Sequence, residues 1–292
     1  MSEGKIYFLM ILTTIFWAGA FIAAKLSITF IPAFTLTFLR FSIASIILYF
    51  VIIYKEKQVY KLKKKDIPVF LFTGIIGMFG YHVLFFTAVK YTTAINSSII
   101  GASNPIITTI LCIMFLRDKI TYKRFLGIIL SFIGVFLTIT NANLSAISNI
   151  GFNKGDLLML IAVLFWAAYS VYSKKVMTNY SPITLTFYSF VFCSIFLIPF
   201  VAYENPIKFM SKVPYYSYVA VIYMSIFPSV IGYLVQQMAI KEIGPSKTSI
   251  FINLVPVFSI ILSVLILGET ATLIKLFTTF LIIVGVYICQ KS

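Results

Sequence analysis

Long apolar runs separated by short polar stretches make up almost the whole chain, and the runs come at the length a membrane demands. A spanning helix needs about twenty apolar residues, and on that ruler the sequence predicts about ten. They are Ile6–Leu26, Ala33–Tyr54, Ile67–Val89, Ala94–Leu116, Phe125–Ile139, Leu157–Ser173, Ile183–Tyr203, Tyr215–Ile240, Ser246–Leu267 and Leu273–Cys289. The fifth and sixth are joined by Asn141–Lys154, rich in Asn, Ser and Ala, which reads as a linker. The expected fold is an all-α polytopic membrane protein.

The pattern repeats. AVKYTTAINSSIIGASNPIITTILCIMFLRDKIT, from Ala88 to Thr121, is echoed by AIKEIGPSKTSIFINLVPVFSIILSVLILGETAT, from Ala239 to Thr272. One constant offset pairs Pro105 with Pro256, Ser98 with Ser249 and Asp118 with Glu269. Phe16-Trp17-Ala18 returns as Phe165-Trp166-Ala167, Thr35-Leu36-Thr37-Phe38 as Thr184-Leu185-Thr186-Phe187, and Gly134-Val135 as Gly285-Val286. The predicted halves are residues 1–140 and 155–292, five helices each, with 141–154 between them. Five is odd, so the second copy enters the membrane from the opposite side. That makes an inverted repeat, the architecture of many secondary transporters.

Composition removes the alternatives. Of 292 residues 61% are hydrophobic and 11% charged, and mean hydropathy is +1.03, more apolar surface than one soluble core hides. The net charge of +15 raises nucleic acid as a partner. Lysines flanking membrane helices account for it better. With the N-terminus inside, sixteen of the twenty-three Lys and Arg residues fall on the cytoplasmic side, so both termini are expected there, in the plasma membrane. The partners implied are a lipid bilayer and a small-molecule substrate, not nucleic acid. Cys112, Cys193 and Cys289 lie inside apolar runs and suggest neither disulfides nor a metal, and no cofactor motif is present.

Polar residues at membrane depth are candidate function by default. Trp17 and Trp166 are matched and sit mid-helix, away from the interface tryptophan prefers. Cavity lining is one reading; packing, with each indole bonded to a carbonyl, is the other. Tyr169 follows Trp166 by one turn. His82, the sole histidine, lies beside Tyr81; it maps onto Tyr233 and Phe85 onto Gln236, each pair on one helix face. His82 either faces a cavity or bonds a backbone carbonyl. Pro105 and Pro256 each leave a carbonyl four residues earlier without its helical partner, with Asn104 and Asn253 close by, so both helices are expected to break there as structural hinges or cavity walls. The candidate substrate-binding set is Trp17, Tyr81, His82, Phe85, Asn104, Trp166, Tyr169, Tyr233, Gln236 and Asn253, expected around one central space. Arg40, about two turns into the second helix, reads as structural first, with a substrate carboxylate as the alternative. All eight carboxylates fall in loops or at helix ends, which argues against a cation antiporter, and no nucleophile–base set or phosphate loop marks an enzyme.

The stretch YHVLFFTAVKYTTAINSSIIGASNPIITTILCIMFLRDKIT, its echo and the FWAGAF start resemble the EamA branch of the drug/metabolite transporter superfamily over nearly the whole chain. The most specific element is a proline, an apolar run and an acidic residue, present in both copies; Arg117-Asp118 departs mildly from the usual form that Gly268-Glu269 keeps. The resemblance implies ten helices, a central cavity, peripheral fifth and tenth helices, and export of small organic metabolites such as amino acids. The expected function is a secondary transporter of a small zwitterionic or neutral solute working by alternating access. A membrane enzyme acting on a lipid-linked substrate is the alternative.

Overall fold

The structure is a computed structural model, and it describes residues 2–57, 61–92, 100–140, 153–267 and 272–291. Among the described residues the regular structure is all helical. The helices are α1 (Glu3–Ile28), α2 (Ala33–Glu56), α3 (64–91), α4 (Ile100–Leu116), α5 (Tyr122–Thr140), α6 (Lys154–Val176), α7 (Pro182–Glu204), α8 (215–243), α9 (245–267) and α10 (Leu273–Gln290). Gly244, at φ 82° and ψ 161°, separates α8 from α9 in a conformation that only glycine adopts without strain. The fold is therefore the expected polytopic helical one. Most of the 141–154 linker and the acidic Glu269 lie outside the described residues.

Two compact units are present, and neither is one half of the sequence. The first is Met1–Val83 with Tyr172–Glu242; the second is Leu84–Val171 with Ile243–Ser292.

In the first unit α2 packs along α7, its counterpart in the repeat, and the two run antiparallel, as an inverted repeat requires. Their ends interlock. Glu204, the last residue of α7, accepts hydrogen bonds from the Phe34 and Thr35 amides (3.1 and 2.7 Å) and from the Thr35 hydroxyl (2.7 Å) at the start of α2. Glu56, the last residue of α2, accepts from the hydroxyls of Ser181 and Thr184 at the start of α7. Each helix so places a carboxylate at the positive end of the other, where free amide N–H groups need acceptors. Each also stops in the same way: the next residue, Lys57 or Asn205, takes a left-handed conformation (φ 61° and 52°) that turns the chain out of the helix.

Sequence reading treats α3 and α8 as plain α-helices; both are wound wider in the middle. Phe72–Gly80 in α3 and Ser225–Tyr233 in α8 form π-helical segments of nine residues each. In α8 the cause is visible. Pro228 has no amide N–H to give to the carbonyl of Met224, and its ring cannot sit against that carbonyl. The Ser229 hydroxyl takes the Met224 carbonyl instead, at 2.9 Å.

In the second unit the counterparts α5 and α10 are also antiparallel, but glycine holds them together. A Cβ placed on Gly127 would lie 2.6 Å from the Gly285 carbonyl oxygen and 2.7 Å from the Cys289 nitrogen, and one on Gly285 would lie 2.5 Å from the Ser131 nitrogen. The backbones touch, the geometry small residues permit between membrane helices. Phe277, Phe280 and Tyr287 of α10 face outward, each more than half exposed, in keeping with a peripheral helix.

Both proline breaks are present. Before Pro105, α4 tightens into a turn at Ser103, whose amide bonds the Ile100 carbonyl at 3.1 Å. Before Pro256, residues Ile250–Leu254 wind as a 3-10 helix.

Candidate functional site

The middle of α2 carries the polar and aromatic core of the first unit. Phe41, fully buried, is stacked on Phe190 of α7 with ring centroids 4.6 Å apart. The edges of two more rings meet it, His82 of α3 at 5.0 Å and Tyr233 of α8 at 6.2 Å. Tyr233 also stands edge-on to Phe190 at 5.2 Å, and Tyr81 edge-on to His82 at 4.9 Å. Edge-to-face contacts of this kind set the positive rim of one ring against the negative face of another and fix mutual orientation.

His82 is buried, and its Nδ1 lies 2.7 Å from the Met78 carbonyl oxygen inside the wide segment of α3. A carbonyl can only accept, so Nδ1 carries the hydrogen. Trp17 behaves alike: its Nε1–H donates to the Pro228 carbonyl oxygen at 3.3 Å, inside the wide segment of α8. The indole passes so close to α8 that a Cβ on Gly232 would lie 2.9 Å from Nε1. Both residues therefore bond carbonyls of π-helical turns, where the ordinary i to i−4 ladder is interrupted.

Arg40 joins this cluster from α2. It bonds no carbonyl. Its Nε donates to the Ser229 hydroxyl at 2.6 Å, and that hydroxyl in turn donates to Met224. Its guanidinium carbon is 5.3 Å from the Phe41 ring centroid, and Tyr81, Tyr233 and Cys193 are within electrostatic reach. Among the described residues no carboxylate pairs with it. The signal available in the sequence was Pro228-Ser229: a proline inside an apolar run frees a carbonyl, and the adjacent serine can relay it.

Gln236 is buried one turn beyond Tyr233, and its amide oxygen has no partner among the described residues. The first unit thus gathers Tyr81, His82 and Tyr233 around Arg40 and Phe41, with Trp17 fixed to the same stretch of α8 that holds Arg40.

The other candidates belong to the second unit. Trp166 and Tyr169, both buried, have ring centroids 6.0 Å apart. Phe85 packs beside the buried apolar group of Ala88, Met159 and Val163. Asn104 accepts from the Thr108 hydroxyl at 3.3 Å, at the start of the helical segment that follows the Ser103 turn. Asn253 donates from Nδ2 to the Ser131 hydroxyl of α5 at 2.9 Å, tying α9 to the α5–α10 pair. No cluster of metal-ligating side chains occurs among the described residues.

The profile of the EamA-like transporter family matches the chain twice, at residues 4–140 and 153–289. An uncharacterized transporter of Bacillus subtilis (strain 168), YyaM, is 32% identical over 98% of this chain and 93% of its own length. A probable terminal-alkyne amino-acid exporter of Streptantibioticus cattleyicolor is 22% identical over 100% of this chain and 95% of its own. A crystal structure of a protein 18% identical in sequence superposes with a TM-score of 0.78, covering 99% of this chain and 98% of that one, a likeness of fold.

Proposed function

Because the chain belongs to the EamA-like transporter family and is a multi-pass membrane transporter, we propose that it moves a small zwitterionic or neutral organic solute, an amino acid or a close relative, out of the cell by alternating access. The observation that carries this reading is the cluster of the first unit: a charged, aromatic and hydroxyl-bearing group at membrane depth, in predominantly apolar helices. Polar groups are costly there and are kept where they handle a solute. In this reading Trp17, Tyr81, His82 and Tyr233 contact the solute, and Gln236 offers it the unpartnered amide oxygen. Pro105 and Pro256, where α4 and α9 are interrupted, act as hinges. The exporter from Streptantibioticus cattleyicolor supports the solute class and the direction. The family and its named relatives are transporters, which leaves the membrane-enzyme alternative without support.

Purified protein in vesicles should exchange labelled amino acids for unlabelled ones at equal pH on both sides. An imposed pH gradient should not concentrate solute, because no described carboxylate sits mid-span to carry a proton, and His82→Gln should retain substantial exchange. Uphill accumulation driven by the pH gradient and lost in His82→Gln would overturn this. The lysine bias supports a cytoplasmic location for both termini. Cysteines at Lys63 and at the exposed Ile207 should then label from inside and outside respectively, and the reverse would overturn the orientation.

A further inference from the structure

We propose that Arg40 is the residue that selects for a carboxylate on the solute, a role that rests on the transporter reading above and deepens it. Arg40 stands seven residues into α2, about 10 Å along the helix from its start at 1.5 Å per residue. A guanidinium cannot shed its charge at that depth, and a charge in an apolar setting needs a counter-charge. Among the described residues none is supplied. Glu56 and Glu204 are engaged at the helix starts of α7 and α2, and the groups nearest Arg40 are a serine, a thiol and aromatic side chains.

The geometry around the charge is that of a receptor. Nε is tied to Ser229, and Ser229 is tied to the carbonyl that Pro228 releases, so the guanidinium plane is held from its back edge. The hydrogen bond of the guanidinium among the described residues is that of Nε, which leaves Nη1 and Nη2 without one there. What remains presented is the two-pronged fork that matches the two oxygens of a carboxylate. The single positive charge fits a monoanion better than a phosphate dianion. Held from behind, the fork is pre-organised, and binding loses little side-chain freedom.

The test uses the purified full-length protein with benzoate and benzamide, which share a shape and differ in the group Arg40 would recognise. Benzoate should raise the thermal unfolding midpoint of the wild type and compete with labelled amino acid; benzamide should do neither. Arg40→Gln should weaken benzoate binding roughly ten- to hundredfold, the range of a lost charge-assisted pair, and Arg40→Lys should recover part of it. Ser229→Ala, which frees the fork without removing it, should weaken benzoate binding a few-fold. Equal responses to benzoate and benzamide in the wild type, or unchanged benzoate binding in Arg40→Gln, would overturn the proposal. Should Arg40→Gln fail to fold, the acid–amide comparison in the wild type and Ser229→Ala decide it. Amino-acid counterflow with no benzoate response sinks the role of Arg40 alone. Benzoate recognition through Arg40 without amino-acid counterflow sinks the amino-acid reading alone.

Discussion

The α2–α7 pair and the α5–α10 pair each join a helix of one half to its counterpart in the other, run antiparallel alike, and are held by opposite means. In the first, carboxylates lock the ends and large rings fill the middle: Phe41, Phe190, His82 and Tyr233. In the second, the middle is backbone against backbone at Gly127 and Gly285. A helix pair closed in its middle by glycine has no room for a solute and acts as a staple. A pair fastened at its ends can carry Arg40 and its neighbours between the fastenings. Both pairs join matched helices of the two halves, and their side chains divide the work.

That division orders the expected effects. Gly285→Leu should be the most damaging, because its Cβ alone would collide with the Ser131 nitrogen and backbone cannot move aside as a side chain can. Loss of monodisperse protein in detergent is the expected result; a folded, stable Gly285→Leu would break the comparison. Glu204→Ala should cost about 2 kcal/mol, since it removes a charged acceptor from two amides and a hydroxyl, read as a fall in the unfolding midpoint. Glu56→Ala should cost less, because among the described residues it bonds hydroxyls only. Equal costs would mean that amide capping is not what matters. Asn253→Ala should lower stability by about 1 kcal/mol, the worth of one buried hydrogen bond, and Ser131→Ala in the same background should add little. The smallest stability effect should come from Trp17→Phe, which keeps the ring and loses one bond to Pro228, while exchange of solute drops several-fold. A stability loss larger than that of Glu204→Ala would make Trp17 a structural residue and not a solute contact.

The number and placement of the helices were legible because span length is a hard constraint, and the repeat was legible because Pro105 and Pro256, Trp17 and Trp166 recur in register. The proline interruptions followed from the same residues. The wide segments were not legible in α3, where α- and π-winding share one apolar pattern and no proline marks the change; in α8, Pro228 marked it. The reciprocal caps were hidden for a different reason. Glu56 and Glu204 look like ordinary loop-side charges, and only the antiparallel pairing shows that each stands at another helix's start. Arg40 was read as structural first, with a substrate carboxylate as the alternative, because helix depth is visible in a sequence and the partner's winding is not. His82 and Trp17 were placed with carbonyl bonding as one alternative, and the carbonyls they reach belong to turns that only the fold reveals.

The caps also bear on how the chain is made. The Thr35 amide waits for an acceptor 169 residues downstream, on a helix that is made only after the four that follow α2. Until α7 is in place, the first turn of α2 has its amides unanswered by Glu204. Assembly of the first unit is therefore a late event of biosynthesis: the ribosome must deliver Glu204 before the first turn of α2 is capped. A nascent chain stalled before Glu204 should leave Thr35 open to proteolysis or labelling from the membrane surface, and release past that point should close it.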